Sequence, residues 1–167
     1  GAEHQYDHLR YRFVFTRVAD MARADGLALS EVVLLSEDGS PMLVGSARNP
    51  GGLTTLSEGP HAAIDENALT KFCDLSFPVG NSSILELRLP IAETLSGYRF
   101  TTASDAPKRD PISWRVEACR SAQQCASNAW EHVHVVHDAT PPLSRSANYG
   151  DFWLVAPPPP SPPPPVY

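Results

Sequence analysis

The sequence predicts an all-β protein, a β-sandwich of about eight antiparallel strands. Three observations carry that expectation: short runs of strict polar/apolar alternation, turn-forming residues between the runs at fairly regular intervals, and very little helical periodicity. Alternation of period two marks half-buried strands, because successive side chains point to opposite faces of a sheet. Several short strands with turn signals between them fit a sandwich or barrel. A parallel α/β fold would need crossover helices that the sequence does not offer.

The first run, "YRFVFTRV", sets Tyr11, Phe13 and Phe15 on one face and Arg12, Val14 and Thr16 on the other. "LSEVVLL" (Leu29–Leu35) is a second candidate strand. "ILELRLPI" sends Leu85, Leu87, Leu89 and Ile91 one way and Glu86 and Arg88 the other. "GYRFTT" repeats the pattern with Tyr98 and Phe100, and "SWRVEAC" with Trp114, Val116 and Ala118. "WEHVHVV" and "DFWLVA" add two more. The separators "EDGSP", "RNPGG", "SEGP", "SDAPKRDP" and "DATPPL" are rich in residues that make turns for steric reasons. Helical expectation is confined to a short piece of "VADMARADGLA" and one turn in "AIDENALTKF".

With 167 residues, one folded domain over 1–155 is expected, followed by a proline-rich tail over 156–167. The net charge of −6, with no long basic run, argues against a nucleic-acid partner. No apolar stretch approaches bilayer length. The first residues carry no positively charged and apolar leader pattern, so a secretory signal would have to precede this numbering. Cys119 and Cys125 bracket the polar insert "RSAQQ", a spacing that suits a local disulfide and leaves Cys73 as a buried thiol. Three unpaired thiols in a reducing compartment are the alternative. Asn81-Ser82-Ser83 is an N-glycosylation sequon, which sides with the extracellular reading.

Four segments in this order resemble the discoidin-like family (coagulation factor 5/8 type C and related galactose-binding-like modules). They are "LSEVVLLSEDGSPM", "AAIDENALTKF", "ILELRLP…YRFTTASDAPKRDPISWRVEAC" and "WEHVHVV", together spanning most of Leu29 to Val136. The resemblance implies an eight-stranded jelly roll whose loops at one end bind glycan, lipid head group or protein. It also implies a structural calcium ion as the one cofactor. By position its ligands would be Asp65, Asn67 and Thr70, with a carboxylate such as Asp151 completing the oxygen shell that a hard cation wants. The bland reading of the same residues is that Asp65 and Thr70 cap a turn. Two positions depart from the family pattern: its glycine after the Asp is Glu66 here, and its tryptophan is Phe72.

Chemistry-bearing patterns are few. His132 and His134, two apart on a strand, would share a face, and imidazoles so placed can ligate zinc; no H-E-x-x-H or C-x-x-C accompanies them. His137 would fall on the other face, and His4 and His8 have no tie to the pair in sequence. The plain reading is two histidines on a half-exposed strand. No nucleophile elbow or phosphate-binding glycine loop is present; Asp105, Arg109 and Asp110 lie in one loop and look like an acid/base cluster, whereas the resemblance implies that Arg109 and Asp110 fix the turn before the Trp114 strand. A non-enzyme is expected. Loop residues suited to sugar hydroxyls and ring faces are Asn49, Arg109, Arg145, Asn148 and Tyr149.

Eight of the 17 prolines lie in "PPPPSPPPP". Consecutive prolines fix φ and remove N–H donors, so an extended polyproline II rod on the order of 28 Å is expected. It could be a spacer or a ligand for an aromatic groove. Its Ser-Pro-Pro-Pro-Pro block resembles extensins and hydroxyproline-rich glycoproteins of green-lineage cell walls. That resemblance implies O-linked sugars on hydroxylated Pro157, Pro158, Pro159, Pro160, Pro162, Pro163, Pro164 and Pro165. The expected whole is a secreted, non-catalytic glycoprotein module for adhesion or assembly of extracellular matrix or fibrils. Its partners would be glycans, matrix glycoproteins or further copies of itself. A monomeric lectin-type module is the alternative, and a zinc hydrolase on His132 and His134 the third reading.

Overall fold

The computed structural model describes residues 8–154 and 162–167. Its elements run β1 (His8–Val18), β2 (Leu27–Leu29), β3 (Glu31–Leu35), β4 (Ser46–Arg48), β5 (Phe72–Asp74), α1 (Phe77–Gly80), β6 (Ser83–Glu93), β7 (Gly97–Thr101), β8 (Pro111–Cys119), α2 (Ala122–Ala126), β9 (Glu131–Val136) and β10 (Asn148–Trp153). Short 3-10 turns cover Leu56–Glu58, Pro60–Ile64 and Pro107–Arg109. The strands form a five-stranded sheet in the order β4-β6-β1-β8-β9, a three-stranded sheet β10-β7-β3, and the pair β2-β5. Every pairing between them is antiparallel.

The alternation read from the sequence becomes the core. Tyr11, Phe13, Phe15, Leu85, Leu87, Leu89, Trp114, Val116 and Ala118 point inward from the five-stranded sheet, and Val32, Leu34, Tyr98 and Phe100 meet them from the other. Edge-to-face aromatic contacts tie the layers: Phe13 to Tyr98 at 5.0 Å, Phe13 to Phe100 at 5.3 Å and Trp114 to Phe100 at 4.8 Å between ring centroids. Such contacts add about 0.5–1.5 kcal/mol each beyond burial. Two antiparallel sheets packed across one apolar layer have the character of an all-β sandwich.

Three local expectations change. Ile91 is 72% exposed instead of continuing the Leu85–Leu89 face. The β1–β6 register slips between Arg10↔Arg88 and His8↔Glu93, so the alternation ends at that bulge. Leu29–Leu35 is two strands in two sheets, broken at Ser30, whose hydroxyl donates to the Ala68 carbonyl. Residues 19–26 of the "VADMARADGLA" stretch form turns and bends instead of a helix, whereas the polar insert after Cys119 holds α2, capped by Ser121 accepting from the Gln124 N–H. A capping serine and good helix formers explain that single turn.

Candidate functional site

Among the described residues, a substantial concavity lies along the outer side of the three-stranded sheet. After β3 the chain turns at Ser36–Ser40 and comes back beside it, with the Met42 N–H donating to the Leu34 carbonyl at 2.8 Å. Between β3 and this returning segment runs an open groove of about 600 Å³. Val33, Pro41, Leu43, Val44 and Ile64 make its apolar floor and wall; Leu43 is 73% exposed. Glu31, Glu66, Arg99, Thr101 and Asn148 supply polar groups around it. An apolar floor with a few convergent polar groups is the ordinary composition of a ligand site.

The loop that carried the calcium expectation closes one end of this groove. Asp65 accepts the Asn67 N–H at 3.1 Å and the Thr70 hydroxyl, while Asn67 accepts the Leu69 N–H at 3.0 Å. Glu31, which nothing in the pattern singled out, is the second carboxylate: it is buried on β3 and accepts the Asn67 N–H at 3.0 Å. Burial, and then the hydrogen bond with Asp65, push the Glu31 carboxyl up to about 8. Burial also pushes Asp65 upward, but the bonds from Glu31 and Thr70 outweigh it and hold Asp65 below its usual value. These opposite shifts make Asp65 the carboxyl that ionises first and Glu31 the one that keeps its proton to higher pH.

Asp151 does not join this loop set; it pairs with Arg99 at 2.9 Å on the neighbouring strand. Among the described residues no group of three or more His, Cys, Asp or Glu is placed to hold a metal ion. The loop therefore fits a cation only in part: Asp65 and Thr70 are together and Glu31 stands where a further carboxylate was expected, but its raised pKa disfavours the charge that a cation needs. Glu66 adopts φ 58°, the left-handed conformation that glycine takes easily, so the turn keeps its shape with a residue that strains it.

The proposed sugar-contacting residues separate. Asn148 lies on the groove, its Oδ1 accepting the Gly150 N–H. Tyr149 points inward, donating to the Pro111 carbonyl at 2.8 Å and packing edge-on against Phe100. Arg145 makes a two-pronged contact with the buried Asp110 at 2.9 and 2.7 Å, and Arg109 does the same with Asp25 at 2.7 and 3.0 Å. These are loop clamps. Asn49 donates to the Ile84 carbonyl at 2.7 Å and to Asp74 at 3.1 Å. Asp74 is fully buried and also accepts from Leu53 N–H, Ser76 and Ser83. Burial pushes its carboxyl up, but those donors prevail and keep it below the usual value. Asp74 thus knots three loops, and its partners are spread too widely in sequence to be seen as a motif.

The two histidines do not share a face. The β8–β9 register shifts between Val116↔His134 and Glu117↔His132, so an extra residue on β9 sends His132 outward and His134 inward. Trp114 donates its Nε1–H to the Tyr98 hydroxyl at 2.7 Å, and that hydroxyl lies 2.8 Å from His134 Nδ1. Burial, and then the nearby His132, lower the His134 pKa. The shared face that the spacing implied, on which the zinc reading depended, is undone by the bulge.

Cys119 and Cys125 are disulfide-bonded, with Cα atoms 5.4 Å apart, and Cys73 is a buried free thiol. Asn81 is exposed at the end of α1, and the Ser83 hydroxyl is held by Asp74 at 2.6 Å. Pro162–Pro165 are exposed; Pro157–Pro160 lie outside the described residues. No helix among the described residues is long and apolar enough to cross a membrane. No family model, curated protein or solved structure matches the chain.

Proposed function

We propose that the chain is a secreted, non-catalytic module for adhesion or assembly in extracellular matrix or fibrils, contacting a glycan or protein segment through its groove. The groove along β3 carries this reading. It is open, apolar-floored and rimmed by separated polar groups, a shape for holding an extended ligand. The eight strands of the two main sheets equal the number that the discoidin-like resemblance implies, and the jelly-roll description belongs to this proposal. The Cys119–Cys125 bridge supports an oxidising compartment. The proline run then serves as a hydroxylated, O-glycosylated rod, which sugars stiffen and keep in water.

A printed glycan array, with negative-stain imaging of the same sample, tests the reading. Retention of one glycan class by the wild type, and its loss in Leu43→Asp and Asn148→Ala, is expected. Both side chains are exposed, so neither change disturbs the core. Binding unaltered in both variants would remove the groove from the account. Intact mass of native material tests the tail: a ladder of hydroxylation and sugar increments is expected, and a bare 18.1 kDa chain refutes it.

A further inference from the structure

The outward face of the five-stranded sheet gathers arginines that lie far apart in sequence. Register places Arg48, Glu86, Arg12, Glu117 and His132 in one transverse row. Ser46, Arg88 and Arg10 form the row beside it, and Arg115 lies in the row on the opposite side. Both glutamates are already matched: Arg10 Nη1 donates to Glu86 at 3.1 Å, and Glu117 sits between Arg12 at 2.9 Å and Arg115 at 3.6 Å. Among the described residues Arg48 and Arg88 form no ion pair, and both are exposed. A strongly positive face thus stands on a chain whose net charge is −6.

Arg10, Ser46, Arg48, Glu86 and Arg88 line a notch of about 70 Å³ in this face. That volume admits one sulfate or carboxylate group and is too small for a whole sugar ring. Arg10 spends one hydrogen bond on Glu86 and its Nε makes none, so its charge is only partly matched. Two strand spacings from β4, Arg12 on the central strand lies 4.2 Å from the centroid of the Trp130 ring. The row from Arg48 on β4 to His132 on β9 extends about 19 Å across the sheet.

The geometry points to a binding surface for an acidic polysaccharide, with one oxyanion group seated in the notch between Arg48, Arg88 and Arg10 and the chain running across the sheet toward Trp130. Guanidinium groups recognise sulfate and carboxylate through paired N–H donors. A flat arginine field with an aromatic at its end suits a stiff sugar chain, whose rings present an apolar face as well as charge. This surface is on the opposite side of the sandwich from the groove and stands without it; loss of groove binding in Leu43→Asp leaves it untouched.

The test is binding of the whole chain to heparin, polygalacturonate, uncharged dextran and poly-glutamate at 50 and 200 mM NaCl. Heparin or polygalacturonate is expected to bind, more weakly at the higher salt, with dextran inert. Whichever of the two binds tells sulfate from carboxylate. The Arg48→Gln/Arg88→Gln double variant should bind about tenfold more weakly with an unchanged melting temperature, and Arg23→Gln, off this face, should bind as wild type. Should the double variant fold poorly, Ser46→Glu, which puts a negative charge in the notch, is expected to give the same loss. The proposal is overturned if neither polysaccharide binds, if the notch variants bind as wild type, or if poly-glutamate binds more tightly than both polysaccharides.

Discussion

Replacing Glu31 by glutamine should make the fold insensitive to pH across a range where the wild type weakens. Glu31 lies buried against Asp65, with its carboxyl pushed from 4.5 to about 8. The folded chain therefore holds a proton that the unfolded chain has released, from pH 4.5 up to about 8. Its contribution is complete below 4.5 and is lost as pH rises through the folded value. Between pH 6.5 and 8.5 this linkage removes about 1–2 kcal/mol of stability. Glutamine still accepts the Asn67 N–H, and its amide can donate to Asp65 in place of the lost proton. The Asp65 shift acts below pH 3.8 and stays outside this window. Urea melts at pH 6.5, 7.5 and 8.5 are the assay. The wild type should lose about 1–2 kcal/mol, and Glu31→Gln a few tenths at most. Parallel curves for the two proteins would refute the raised Glu31 pKa.

Tyr98→Phe leaves the Trp114 Nε1–H and His134 Nδ1 without their buried partner, and should cost about 2–4 kcal/mol in chemical denaturation. His134, held neutral in the fold, should make the wild type less stable as pH falls below 6.5, because the unfolded chain takes up its proton first; thermal melts at pH 5.5 and 6.5 check this. Gly97→Ala would set its Cβ 2.8 Å from the Phe152 carbonyl oxygen and 2.8 Å from the Trp153 ring, prying β10 from β7. A loss of about 1–3 kcal/mol is expected, with amide exchange rising first in β10. Reduction of Cys119–Cys125 should cost about 2 kcal/mol, since the loop it closes is short; melting with and without dithiothreitol measures it.

The strands and the core were legible because burial imposes period two, so Tyr11, Phe13, Phe15 and the Leu85–Leu89 series could be placed from their spacing alone. The bulges were not legible. The one that exposes Ile91 and the one that separates His132 from His134 each insert residues into a ladder without any local signature, and a slip of one residue reverses every face beyond it. Among the candidate site residues, Asn148 reached a groove, whereas Arg109 and Arg145 were loop fasteners and Tyr149 turned inward from β10, since charge and aromaticity alone do not say where the partner lies. Glu31 was hidden inside an apolar run. The arginine face was hidden more thoroughly: Arg10, Arg48, Arg88 and Arg115 come from four strands, and only the pairing register brings them together.

The most direct measurement for the central claim is methyl and amide chemical-shift mapping of the intact chain, titrated with a glycan that the array retains. Binding in the groove predicts that the largest changes cluster at Val33, Leu43, Val44 and Asn148. A ligand that shifts only residues elsewhere, or that is chemically converted during the titration, would contradict the account of this chain as a non-catalytic groove binder.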